Sequence, residues 1–254
     1  MIRAVSLLVI LFLAAPNLLI IASSFSTTSS FGIPWDGLSL QWYANLFTRS
    51  TFGSGLLLSV GLAGLATLIG TAIGTAAAFA VVRYRFPGRG LINALVMGPL
   101  IVPEVVMGLS FLIMLNAMLL GITIVNLLLL HLVIVLPFVV RVMIGNLQRT
   151  DPDLEAAAQL LGATPARAVV HVTLPIIARG MTGAMLLAFV MSFHNFTATL
   201  FLVSSEATLP IAIYQYVRTE SDPTVAALSS LLMVGMLGIV LLTSRLMGLD
   251  KVVR

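Results

Sequence analysis

The sequence predicts an all-α membrane protein with six transmembrane helices, and three observations carry that prediction. Of its 254 residues, 59% are hydrophobic and 9% charged, where soluble domains average about a quarter charged. The apolar residues come in runs of about 20, the length that takes a helix across a ~30 Å hydrocarbon core at ~1.5 Å per residue. The ~10-residue alternating segments of a membrane barrel are absent. Mean hydropathy is +1.13. The lack of cysteine excludes disulfides and thiolate metal sites. A pI of about 10.1 raises nucleic acid as a partner, but the basic residues are scattered between spans rather than clustered, which reports topology instead.

In chain order, the spans fall near 4–22, 55–82, 91–115, 122–140, 181–203 and 224–247, and the whole of 1–254 reads as one membrane domain. Arg3 ahead of the first run also fits a cleaved signal peptide. That run, however, is longer than a usual signal core and no Ala-x-Ala site closes it. The second span is dense in small residues, including Gly61, Gly64, Gly70 and Gly74, and Gly70-x-x-x-Gly74 permits close helix approach. Arg83-Tyr-Arg-Phe-Pro-Gly-Arg-Gly90 is turn-like, and the third and fourth spans meet near Gly121. With both termini on one side, 11 of the 13 basic residues gather there, leaving Arg49 and Arg218 opposite. The positive-inside rule makes that side cytoplasmic.

Two places inside the membrane carry polar groups. Glu104 is the one acid within a span, and it follows Pro99 and Pro103, which bend the third helix and free backbone carbonyls. A carboxylate in hydrocarbon costs a few kcal/mol at least. Two readings stand: Glu104 lines a solute path, or it caps a broken helix or pairs with a partner subunit. The fifth span holds Ser192-Phe-His-Asn-Phe-Thr197, a polar patch flanked by aromatics, where His194 and Asn195 either contact solute or hydrogen-bond neighbouring helices. Asn116, Asn126 and His131 read as packing.

Between the fourth and fifth spans lies a polar island, 151–175, within a loop taken as 145–179. Asp151-Pro152-Asp153 is a helix start, with acids at the positive dipole end. The helix continues through Leu161, and Gly162 ends it by permitting a left-handed backbone. Thr164-Pro165 caps and opens a second short helix, expected to stop before Pro175.

This segment resembles the EAA loop of ABC importer permeases: Glu-Ala-Ala, three residues, Gly, nine residues, Ile, one residue, Leu-Pro. Gly162, Val172 (for Ile), Leu174 and Pro175 match at that spacing, with Ala156, Ala157 and Ala158 at the Glu-Ala-Ala positions. The consensus glutamate is therefore missing, and Glu155 sits one residue earlier, about 100° around the helix. Three further stretches are similar to the polyamine-type branch: Leu38-Ser-Leu-Gln-Trp-Tyr43, Gly98-Pro-Leu-Ile-Val-Pro-Glu-Val-Val-Met-Gly108, and Thr208-Leu-Pro-Ile211 running on to Tyr214.

The resemblance implies the shorter permease subunit of a binding-protein-dependent importer in a prokaryotic inner membrane. Its partners would be a second, different permease, two ATPase subunits and an extracytoplasmic solute-binding protein. The coupling helix, represented here by Asp153, Glu155, Ala156, Ala157, Gly162, Ala163, Leu174 and Pro175, would dock on the ATPase. ATP and magnesium would belong to that partner, since no Gly-x-x-x-x-Gly-Lys-Ser/Thr phosphate loop occurs here. The solute would be a small polyamine-like, amine-bearing or phosphonate compound. Glu104, His194, Asn195 and Phe196 would line its path, although polyamine permeases carry acids where His194 and Asn195 stand. Neither His-Glu-x-x-His nor Gly-x-Ser-x-Gly occurs, and His131, His171 and His194 lie on separate segments, so no catalytic or metal residues are assigned. A secondary transporter with Glu104 as proton carrier is the competing reading.

Overall fold

The computed structural model describes residues 2–33, 36–203, 206–220 and 222–247. Among these, regular structure is helical, apart from an isolated antiparallel bridge between Ser26 and Leu38. Five helical stretches are long and apolar enough to cross a membrane: Val5–Ser23, Ser50–Arg83, Ile124–Gln148, Pro165–Phe193 and Thr224–Leu241. A sixth candidate is the pair Arg89–Leu100 and Glu104–Ala117, bent by 106° at its break. The chain forms two compact units, one of residues 1–55 with 211–254 and one of residues 56–210.

The first unit contains α1 (Ile2–Ser23), α2 (Gln41–Thr48), the start of α3 (Ser50–Arg83), most of α10 (Leu209–Thr219) and α11 (Thr224–Met247). Helix α1 is largely apolar and exposed over most of residues 5–20, with Phe12 78% accessible, the character of a helix whose solvent is lipid. The Leu38–Tyr43 motif ties the 24–26 stretch to α2: Trp42 Nε1 donates to the Ser26 carbonyl at 2.7 Å and Tyr43 Oη bonds Ser24 Oγ at 2.8 Å. Arg49 forms a two-pronged ion pair with Glu220 at 2.8 and 2.7 Å, over the Tyr216 ring. Glu220 holds the guanidinium above its already high ordinary value.

The second unit is built on α6 (Ile124–Gln148) and α9 (Leu174–Phe193). Their contact buries Val135, Val139, Met143 and Leu147 of α6 with Ile177, Ala184 and Ala188 of α9. Gly70 and Gly74 of α3 lie directly over Val135 and Val139, which is the close approach their spacing permits.

Several boundaries differ from the sequence reading. The third span, expected as one kinked helix over 91–115, is α4 (Arg89–Met97), a 3-10 turn at Gly98–Leu100, a break, and α5 (Glu104–Ala117). Pro103 supplies no N–H and pushes Val102 out of the helical region, so the chain turns rather than bends. Helix α6 runs two turns past the expected end at 140. The exposed Arg141 keeps its charged tip outside while the backbone stays helical.

The fifth span begins earlier and ends earlier than 181–203. Pro175 does not end a helix; α8 (Pro165–Ala168) passes through a π turn at Val169–Thr173 directly into α9. There the Leu174 N–H bonds the carbonyl of Val169, five residues back. This wider turn makes room for a proline ring that would otherwise strike the carbonyl four residues before it. At its other end α9 stops at Phe193, and 199–202 is a 3-10 turn. The loop taken as 145–179 accordingly shortens to 149–173, and Leu174 and Pro175 are the first turn of α9.

Candidate functional site

Two places in the second unit bring together the residues the sequence singled out. The first is the 149–173 segment. Asp151 Oδ1 accepts from the Asp153 N–H at 2.9 Å, and α7 (Asp153–Leu160) follows. Gly162 ends it with φ +93°. The Ala163 N–H reaches the Ala158 carbonyl and the Gly162 N–H the Gln159 carbonyl, each at 3.0 Å, the paired bonds of a left-handed helix stop. Thr164 Oγ1 then accepts from the Arg167 N–H at 3.3 Å with Pro165 in the first turn. A cap of this kind is worth about 1 kcal/mol.

Helix α7 has two unlike faces. Leu154, Ala156 and Ala157 are exposed, and Leu160 and Leu161 are each 90% accessible. Asp153 is exposed in the first turn, and Ala163 is half-buried just past the stop. Glu155 points the other way. Its Oε1 accepts from Arg83 Nε at 3.2 Å and from Thr173 Oγ1 at 2.8 Å. Arg83 Nη2 also donates to the Thr150 carbonyl at 3.2 Å. The pair is largely shielded, at 14% and 16% side-chain exposure. Sequence reasoning left Arg83 as a topology residue and did not single out Thr173; both lie far from Glu155 in sequence, and no short-range pattern links them.

The second place is a buried polar chain. Asn195 Oδ1 accepts from the Thr199 backbone N–H at 3.2 Å, a group that can only donate, so Nδ2 must face outward. It meets Glu104 Oε2 at 3.2 Å. Thr199 Oγ1 gives its proton to the same Oδ1 at 2.9 Å and so accepts from His131 Nε2 at 3.1 Å. His131 Nδ1 then accepts from Ser192 Oγ at 2.7 Å. One assignment, the neutral Nε2–H tautomer, satisfies every member from Ser192 through His131, Thr199 and Asn195 to Glu104. His131, Ser192, Thr199 and Asn195 are all buried, whereas Glu104 is exposed at the first residue of α5, at the positive dipole end.

Gly108 positions this chain. A β-carbon there would meet the Ala198 carbonyl oxygen at 2.5 Å and its Cα at 2.8 Å, so α5 packs backbone to backbone on the stretch after α9. Of the predicted path residues, Glu104 and Asn195 meet directly. His194 is exposed, stands edge-on to Phe193 at 5.4 Å, and bonds the Val190 carbonyl of its own helix at 3.2 Å through Nδ1. Phe196 is half-buried. The link between helices expected of His194 and Asn195 together thus belongs to Asn195, with His131, which read as simple packing, at the centre. Among the described residues, no group of three His, Cys, Asp or Glu side chains could hold a metal.

Both features lie in an all-helical chain with five or six candidate membrane spans among the described residues. Residues 70–248 match the family described as binding-protein-dependent transport system inner membrane component, and the chain belongs to that family, in the inner membrane. It is 30% identical over 243 residues to the spermidine/putrescine transport system permease protein PotC of Escherichia coli K12, covering 94% of this chain and 90% of the relative. It is 32% identical over 237 residues to the putrescine transport system permease protein PotI of the same strain, covering 90% and 84%. Both of these relatives are permeases of the polyamine branch of ABC importers. Among solved structures, a bacterial ABC transporter that imports the acidic polysaccharide alginate superposes with a TM-score of 0.75 at 14% identity, over 96% of this chain and 94% of that one. The same transporter type in complex with an alginate pentasaccharide-bound periplasmic protein gives 0.74 at 17% identity, over 96% and 91%. At these identities the likeness concerns the fold.

Proposed function

We propose that this chain is one of two permease subunits of an ATP-driven importer for a small polar solute. The solute is polyamine-like, amine-bearing or a phosphonate, and an extracytoplasmic binding protein delivers it. Two ATPase subunits bind ATP and magnesium and drive the cycle, and the partner permease is a different chain. Both termini, the 83–90 loop and the 149–173 segment lie in the cytoplasm, as the distribution of basic residues argues. The carrying observation is α7, a short helix in a charged loop that ends in two adjacent exposed leucines, Leu160 and Leu161, each 90% accessible. Apolar side chains at such exposure in an aqueous segment fit the centre of a protein contact.

Glu104 and His194 face the solute path in this reading, while Asn195 orients Glu104 from behind. A single carboxylate suits an amine-bearing solute, and the names of the polyamine relatives support that choice over a phosphonate.

The test is co-purification. The doubly substituted Leu160→Asp, Leu161→Asp chain should still insert in the membrane. It should bring down at least about tenfold less ATPase than wild type, since each desolvated leucine at a contact is worth about 1 kcal/mol or more. Undiminished ATPase recovery would refute docking through α7.

A further inference from the structure

We propose that Glu155 is the positioning residue of the docking helix: through Arg83 and Thr173 it makes α7, the end of α3 and the start of α9 move together. This rests on α7 being the ATPase contact.

Three helices meet at one carboxylate. Arg83 is the last residue of α3 and Thr173 the last of the π turn that opens α9. Both donate to Glu155 Oε1, at 3.2 and 2.8 Å. The other arm of the same guanidinium holds the Thr150 carbonyl at 3.2 Å, which lies two residues past the end of α6. Charge-assisted bonds of this kind are stronger than neutral ones, and a pair shielded to 14% and 16% exposure escapes much of the screening that weakens a surface pair. Thr173 is fully buried, so its hydroxyl has a fixed partner.

The arrangement also accounts for the displaced glutamate. Position 156 is exposed and position 155 is turned inward. A glutamate at 156 would face a docking partner; moved one residue back, it faces its own chain. Displacement of α7 by an ATPase is then passed to α3 and α9 through a joint internal to this subunit.

The experiment uses the complete importer, with both permeases, the ATPases and the binding protein, in proteoliposomes. It reads co-purified ATPase, ATP hydrolysis and solute moved per ATP. Glu155→Gln should keep ATPase recovery at the wild-type level and lower solute per ATP about tenfold, the effect of one charge-assisted hydrogen bond. Thr173→Val, which leaves the ion pair intact, should lower it less. Wild-type coupling in Glu155→Gln would overturn the proposal. So would loss of ATPase recovery in that variant, because Glu155 would then be a docking contact. A wild-type chain that brings down no ATPase would instead refute the docking reading itself.

Discussion

Glu104 shows how a single residue can be tested without disturbing its surroundings. Its carboxylate accepts from Asn195 Nδ2, and the orientation of that amide is fixed from the other side by the Thr199 N–H. Glu104→Gln keeps an acceptor, Oε1, in place for Asn195 and nearly the same volume, and removes the charge alone. In the reconstituted importer, Glu104→Gln should assemble normally and transport about tenfold or more slowly, the effect of roughly 1.4 kcal/mol of lost charge interaction. Transport at the wild-type rate would place Glu104 in a structural role. Gly162 is constrained differently: its backbone, at φ +93°, makes any β-carbon cost about 1–2 kcal/mol, whatever contacts surround it.

The elements show which parts of the fold were legible in the sequence. Helix α7, its glycine stop and the Thr164-Pro165 restart were legible because caps and stops are local chemistry, decided within four or five residues. The break before Glu104 was half legible: two prolines announce a bend, but its 106° follows from how α5 packs on Ala198 through Gly108. Pro175 misled, because a proline reads as a stop unless a π turn widens the helix ahead of it, and no residue type marks that turn. Which of His194 and Asn195 turns inward is a matter of where α9 ends, one residue being about 100° of rotation. The polar chain through His131 joins α6 to the end of α9 and to α5, so its members are far apart in sequence. Its worth can be measured: His131→Leu leaves the Ser192 hydroxyl without its acceptor in a site where Ser192 is 2% exposed, at a cost of about 1–3 kcal/mol. The melting temperature in detergent should fall by several degrees. Thr199→Val combined with His131→Leu should cost less than the two singles summed, because they break one shared network. Full additivity would show that the bonds act independently.

At the scale of the whole molecule, the two energy sources open to a permease can be separated by experiment. A gradient-driven carrier would need Glu104 to bind and release a proton in each cycle, with this chain sufficient by itself. An ATP-driven importer needs α7 to receive motion from another polypeptide, and the chain alone would be inert. The second case agrees with membership of the binding-protein-dependent family and with the proposed docking role of α7, at whose end Leu160 and Leu161 stand 90% accessible while Glu155 is tied inward. The deciding measurement places this chain in liposomes, first alone and then with its partner permease, ATPases and binding protein, under an imposed proton gradient or with enclosed ATP. Uptake should appear with the complete set and ATP, and should persist when an uncoupler collapses the gradient. It should be absent from the chain alone under either condition. Uptake by the chain alone under a proton gradient, abolished by Glu104→Gln, would overturn the ATP-driven reading, since the motion of α7 would then be unnecessary for transport.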